Sequence, residues 1–422
     1  MDRFVGIIGI FVVFLIAFLM SNNKKAINYK TVAIGFILQI LLAVFIFVFP
    51  IGKTLFLLIG AFIEKIVGFA YEGGAFVFGP LVNNTRLAEL FADNSRIFTL
   101  QLVCTCIFMM VLVNILYYYG IMQRVVAVLG KAMNKIMKVS GAEALSNVAS
   151  AFVGQIVAQI MIKPYLEKLT RSELLASMSG SMACLSGAII PIYIGMGIPA
   201  TYLLASSVMA VPGALILSKI IYPETGEPET RDNIRISRRR TFTNVFDAIS
   251  NGAGEGMKVA INVTAMILAL VALVAFIDWA LGSCGVLIYK YVPLCSNLEF
   301  LNHLSLSYIL GKIFMWFALV LGVPLQDAST VGSLMGTKIV LNEMVAYVNL
   351  TSVASTLSAK SYMIACFALC SFGNFGSVAI QIGGIGELAP NQRKNLARLG
   401  LRALICGTLS CYLSAAIVGV LL

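Results

Sequence analysis

One carboxylate in this 422-residue chain stands inside an apolar run where chemistry at membrane depth would need it: Glu343, in Val340-Leu341-Asn342-Glu343-Met344-Val345-Ala346-Tyr347. Nearly all other acidic residues fall in polar stretches or at the ends of apolar ones. An ionisable side chain buried in an apolar layer is costly and marks a functional site by default. Asn342 adds an amide that both donates and accepts, and a carboxylate beside an amide suits a ligand rich in hydroxyls. The plainer alternative is that Glu343 pairs with Lys338 or Lys312 and only locks the local fold. A second polar concentration, Ser371-Phe372-Gly373-Asn374-Phe375-Gly376-Ser377, interrupts a later apolar run. Its glycines weaken a helix, and a span broken at its centre exposes backbone groups and half-helix ends to a ligand. Its phenylalanines offer faces for a planar or sugar ring. Close packing of helices on small residues would account for the same glycines.

Other chemistries lack support. No Walker A sequence, nucleophile elbow or HExxH pattern is present, so neither ATP hydrolysis nor hydrolytic catalysis is indicated, and no cofactor or metal cluster is expected. The lone histidine, His303, sits in a polar loop. Seven of the nine cysteines lie in or beside apolar segments and read as small buried hydrophobes. Cys284 and Cys295 share a loop expected outside, where an oxidising exterior permits a disulfide.

With 59% hydrophobic and 12% charged residues the chain reads as polytopic and membrane-embedded, its lipid partner being the bilayer. The net charge of +11 does not indicate nucleic acid, because the basic residues cluster at the ends of apolar runs without a stripe of interleaved aromatics. Lys24, Lys25 and Lys30 form one cluster; Arg124, Lys131, Lys135 and Lys138 a second; Arg231, Arg235, Arg238, Arg239 and Arg240 a third; Arg393, Lys394, Arg398 and Arg402 a fourth. The positive-inside rule places all four in the cytoplasm. Spans are then expected at Phe4 to Met20, Val32 to Phe49, Ile97 to Tyr119, 173–197, 199–221, 258–282, 361–386 and 399–422, giving eight crossings with both termini outside. Phe4 to Met20 lacks a cleavage site and is not read as a removed signal peptide. Ile51 to Val82, too charged for a clean span, reads as an external or interfacial amphipathic segment, and 283–304 as an external loop.

The elements around Glu343 come in two copies. Val128-Leu129-Gly130-Lys131, with Val139 and Gly141, returns 181 positions later as Ile309-Leu310-Gly311-Lys312, with Val320 and Gly322. Each copy leads into an interrupted apolar stretch carrying Gly154-Gln155 or Asn342-Glu343, and Ile194-Gly195-x-Gly197 is echoed by Ile382-Gly383-Gly384-x-Gly386. Paired interrupted segments in corresponding positions of two halves point to a secondary transporter's substrate site. Counting crossings makes the copies face opposite ways. Non-helical backbone at membrane depth survives only where protein or a water-filled cavity satisfies it, so stretches 142–166 and 324–348 read as re-entrant hairpins. The fold class expected is an all-α polytopic membrane protein with eight transmembrane helices and two re-entrant helical hairpins in an inverted repeat. Its parts are 1–120 (N-terminal scaffold helices and external segment), 121–221 (first repeat), 222–304 (basic linker at 222–242, scaffold span and loop) and 305–422 (second repeat).

Asn342-Glu343-Met344-Val345-Ala346-Tyr347, Asn374-Phe375-Gly376-Ser377 and Gln381-Ile382-Gly383-Gly384-Ile385-Gly386 through Ala389-Pro390 resemble the concentrative nucleoside transporter family. Lys163-Pro164-Tyr165, Ser172-Glu173-Leu174 and Leu399-Gly400-Leu401-Arg402-Ala403-Leu404 carry the likeness over nearly the whole chain. The resemblance implies a plasma-membrane homotrimer (inner membrane in a Gram-negative source), an elevator mechanism, and nucleoside uptake coupled to sodium or protons. It also implies that Glu343, Asn374 and Ser377 bind ribose, that Phe372 lines the site, and that Ile189 and the tip of the first hairpin contact the base.

That tip departs from the family. Where relatives have Gly-Gln-Thr-Glu-Ala-Pro, this chain has Gly154-Gln155-Ile156-Val157-Ala158-Gln159, so Gln155 remains but a carboxylate has become Val157. Loss of a charged hydrogen-bonding partner is worth about 1.5–3 kcal/mol of discrimination. Side chains that hold sodium in coupled relatives correspond to Ser150 and Cys184 here, and a thiol is a poor ligand for a hard cation. Backbone carbonyls could hold an ion instead, but with Glu343 as the evident buried carboxylate the reading leans to protons. The expected function is therefore a cation-coupled nucleoside symporter. A same-fold transporter of a modified nucleoside, nucleobase or sugar derivative is the alternative, and a channel or non-transporting sensor comes third.

Overall fold

The computed structural model describes residues 5–82, 87, 97–231, 242–291 and 304–421, and these are helical with no strand. Arg235, Arg238, Arg239, Arg240, Cys295 and His303 lie outside the described residues. Ahead of the first copy of the repeat run α1 (Val5–Leu19), α2 (Tyr29–Phe47), α3 (Pro50–Phe78) and α4 (Phe98–Tyr118). The first copy follows as α5 (Ile121–Met137), a hairpin of α6 (Gly141–Val153) and α7 (Gln155–Met161) ending in the short α8 (Lys163–Leu166), a broken helix α9 (Arg171–Ala183) and α10 (Ile190–Gly195), and α11 (Ala200–Ile221). The long α12 (Val245–Tyr291) leads to the second copy. It has the same order: α13 (Leu306–Val320), a hairpin of α14 (Leu325–Val340) and α15 (Glu343–Val353), a broken helix α16 (Ala359–Leu369) and α17 (Phe375–Leu388), and α18 (Arg393–Leu421).

The echoed Leu-Gly-Lys has a packing reason. Gly130 lets α5 lie against the first leg of its hairpin, since a Cβ there would stand 3.2 Å from the Leu145 backbone. Gly311 does the same for α13 and α14, where a Cβ would meet the Ser329 carbonyl at 3.0 Å. α13 and α14 meet at a 117° bend, so the pair is a lateral helix followed by a hairpin leg. In the first hairpin, Ser150 before the tip and Gln159 after it both reach Ser181 of α9, at 2.9 and 2.8 Å, which requires the chain to double back. Gly154 makes that turn with φ +89°, a conformation open to glycine at little cost.

Several boundaries differ from the sequence reading. Among the described residues six helices, α2, α3 with the turn after it, α4, α11, α12 and α18, are long and apolar enough to cross a membrane, or seven if α13 and α14 count as one bent span, against the eight crossings expected. α1 is shorter, and each half of the two broken helices is too short to count alone. α3 qualifies because its charges are spread over a 29-residue helix, so charge does not exclude it as a span. α12 is 47 residues long, about 70 Å at 1.5 Å per residue, more than twice the roughly 30 Å apolar layer. It therefore tilts or projects, and Cys284 lies in this helix instead of the expected loop. The break at residues 184–189 was not anticipated, although Ser186-Gly187 lies within it and Pro191 just after it.

Glu343 is also not the exception among acids that the sequence reading made it. Glu143 and Glu173 are buried as well, each bonding the backbone of its own helix start in a capping box with Ser140 and Thr170. The signature Ser-x-x-Glu or Thr-x-x-Glu ahead of an apolar run was legible. Lys219 at the end of α11 lies 2.7 Å from Glu143 and 3.4 Å from Glu224, and donates to Ser172 at 2.9 Å. The Gly141 and Ala142 N–H groups bond Thr230 at 2.8 and 3.0 Å, so the segment after α11 fastens the starts of α6 and α9 together. Lys219→Met strands the Glu143 carboxylate and should cost about 3–5 kcal/mol of stability. Adding Glu143→Gln should recover most of that in thermal unfolding; a double variant no more stable than Lys219→Met would contradict the pairing.

Candidate substrate site

Glu343 begins α15 at the tip of the second hairpin and is 7% exposed. Its carboxylate takes two hydrogen bonds, from the Tyr193 hydroxyl at 3.2 Å and the Asn374 amide at 3.1 Å. The first comes from α10 and the second from the start of α17, so both broken helices hold one hairpin tip. Asn342 is the N-cap of α15, its Oδ1 accepting the Val345 N–H at 2.9 Å. Asn374 caps α17 in the same way, accepting the Ser377 N–H at 2.8 Å while its other end serves Glu343. Two helix N-termini thus converge on the carboxylate, and their partial positive charge favours it. Among the described residues no ion pair within 4.0 Å joins Glu343 to Lys338 or Lys312, so the direct pairing that the plainer alternative invokes is not made.

The remaining expected residues fall into three groups. Phe372 (7% exposed) and Ser377 (3%) are buried with Asn374 at the interruption between α16 and α17, as that polar run anticipated. Gln155 and Ile156 face α17: Gln381 donates to Gln155 at 3.5 Å, and Ile156 packs on Gly384. Val157, 40% exposed, turns away from them into a groove of about 1040 Å³ between the first hairpin and helices α4 and α12. Ile189 is half-buried at the start of α10.

Ser150 and Cys184 are not brought together by hydrogen bonds. The Ser150 hydroxyl bonds Ser146 and Ser181 at 2.7 and 2.9 Å, whereas the Cys184 thiol donates to the Ser207 carbonyl at 3.6 Å. The first hairpin tip instead docks on the break by backbone, Gly187 N–H to the Phe152 carbonyl at 3.1 Å.

A chain with this site and this paired architecture has recognisable relatives. Residues 8–81 and 202–419 match the family models described as the N-terminus and C-terminus of Na+ dependent nucleoside transporters, and 99–200 one described as nucleoside recognition. The chain belongs to the concentrative nucleoside transporter family. The nucleoside permease NupC of Helicobacter pylori is 36% identical over 98% of this chain and 96% of its own length. The uncharacterized transporter YutK of Bacillus subtilis is 38% identical over 98% of each. CNTnw, solved in an inward-facing substrate-bound state, matches with a TM-score of 0.90 and 36% identity over 100% of this chain and 98% of that one. A variant of CNTnw in an outward-facing state gives 0.92 at 36% identity, over 100% and 97%. The family is one of transporters, not enzymes.

Sequence reasoning about this family member missed Tyr193, which lies in a plain apolar run and gains its role only when α10 meets the second hairpin. Its ring, fully buried, packs against Tyr347 with centroids 4.6 Å apart, and Tyr347 donates to the Cys366 carbonyl at 2.8 Å. Tyr193→Phe keeps the packing and removes one of two donors to the carboxylate. A hydrogen bond to a charged group is worth about 1.5–3 kcal/mol, so the substrate KM should rise roughly tenfold or more with thermal stability nearly unchanged. An unaltered KM would show that Tyr193 does not set the carboxylate's position.

Proposed function

We propose that the protein is a cation-coupled nucleoside symporter of the plasma membrane that imports nucleosides by an elevator movement. The observation that carries this reading is the buried Glu343 carboxylate, oriented by Tyr193 and Asn374 at the convergence of two helix starts. Such a carboxylate can accept from two neighbouring ribose hydroxyls while the Asn374 amide and Ser377 complete the sugar side, with Phe372 against the ring. The base then lies toward Gln155, Ile156 and Ile189, and Val157 lines the way out through the groove. Residues 121–221 and 305–422 form the moving unit. Residues 1–120 and 222–304 form the scaffold, a division supported by the long contact of α12 with α4. With the basic clusters inside, the first hairpin opens from the cytoplasm and the second from the exterior, both termini lie outside, and three copies assemble. The neutral first-hairpin tip favours, as a second reading, a modified nucleoside, nucleobase or sugar derivative as cargo. Coupling leans to protons, since Ser150 and Cys184 are each engaged elsewhere and Glu343 is the carboxylate within the site.

Vesicles containing the purified protein should concentrate radiolabelled uridine or adenosine, and Glu343→Gln should bring uptake to the level of empty vesicles. Uptake should survive sodium removal and stop when the proton gradient is dissipated; strict sodium dependence would sink the proton assignment. Passive flux indifferent to both gradients would replace the symporter with a channel.

A further inference from the structure

Lys338 is fully buried, yet among the described residues no carboxylate lies within 4.0 Å of its ammonium. Its neighbours are the Thr408 hydroxyl of α18 at 3.5 Å and the Tyr412 ring, whose centroid is 6.0 Å away. It also lies against the interruption of the second broken helix, because a Cβ on Gly373 would stand 3.4 Å from the Lys338 nitrogen. An ammonium taken out of water with one weak partner is expensive unless a charge nearby compensates it, and the buried carboxylate at the same hairpin tip is Glu343, five residues on and bonded to Asn374, the residue next to Gly373. The position is peculiar to the second half. Ser150 stands five residues before Gln155 on the first leg of the first hairpin as Lys338 stands five before Glu343, and Ser150 is neutral. The other buried charges sit at the ends of the unit: Glu143, Glu173 and Lys219 together at one end, and Asp327 in the first turn of α14, held by Ser358 and Ser361.

We propose that Lys338 is a resident counter-charge that makes the empty moving unit neutral at depth and the cation-loaded unit singly positive. The charge count is simple: Glu343 and Lys338 cancel, a nucleoside adds nothing, and the coupling cation adds one wherever it binds. Membrane potential then acts on the loaded step and leaves the empty return alone. Without the lysine the assignment inverts, the empty unit carrying a negative charge and the loaded one none. This rests on the symporter reading, but not on which cation couples.

Nucleoside exchange, with labelled nucleoside outside, unlabelled nucleoside inside and the coupling cation equal on both sides, involves only the loaded unit. One charge crossing the full field at about 100 mV shifts an equilibrium roughly fiftyfold, so wild-type exchange in vesicles should change severalfold when a potassium diffusion potential of that size is imposed. Lys338→Met should exchange at a rate indifferent to potential, and Lys338→Arg should keep the wild-type response. Voltage-indifferent exchange in the wild type, or wild-type voltage dependence in Lys338→Met, would overturn the proposal. If both variants fail to transport, the wild-type response alone decides. Absence of any wild-type exchange would instead be a failure of the symporter reading.

Discussion

A carboxylate in an apolar layer has to be given hydrogen bonds, and the rest of this molecule is arranged around giving them to Glu343. A continuous helix has no spare backbone donors, so the polar groups must come from helix ends. That requirement accounts for the hairpin that stops at Asn342, for the helix that stops at Leu369 and restarts at Phe375, and for the approach of α10 with Tyr193. Each interruption would be prohibitive on its own in lipid. Together they satisfy one another, with Asn342 and Asn374 closing their own helices while Asn374 also serves the carboxylate.

The two halves share an architecture but not a chemistry. Both have a helix packed through a glycine on a hairpin, followed by a broken helix and a long one. The second half concentrates its charge at depth in Glu343 and Lys338; the first keeps Glu143 and Lys219 together at one end, where they fasten the starts of two helices. The tip of the first hairpin, Gln155, Ile156 and Val157, carries no charged side chain. With the base placed there as proposed, its selectivity would come largely from apolar contact, which discriminates by only about 1–3 kcal/mol per group.

Much of this was legible because the sequence repeats itself. The echo led to both hairpins within a few residues of where they lie, and the Asn-Glu and Gly-Asn runs led to Glu343 and Asn374. Local patterns were less well served by the same reasoning. The capping boxes at Ser140 and Thr170 are spelled out by spacing, and placing nearly all acids in polar stretches or at the ends of apolar runs concealed that Glu143 and Glu173 are buried. Tyr193 was beyond reach for a different reason. Its role depends on which helix faces which, and one tyrosine in an apolar run carries no mark of a partner 150 positions away.

The central claim is that the Glu343 carboxylate, as placed by Tyr193 and Asn374, recognises neighbouring hydroxyls of a sugar. Thermal unfolding of the purified protein with uridine or adenosine, compared with their 2′,3′-dideoxy counterparts, tests it without transport. Ligand that binds only the folded state stabilises it by RT ln(1 + [L]/Kd), so the account predicts clear stabilisation by the ribonucleosides and little by the dideoxy compounds. Equal stabilisation by both would contradict it.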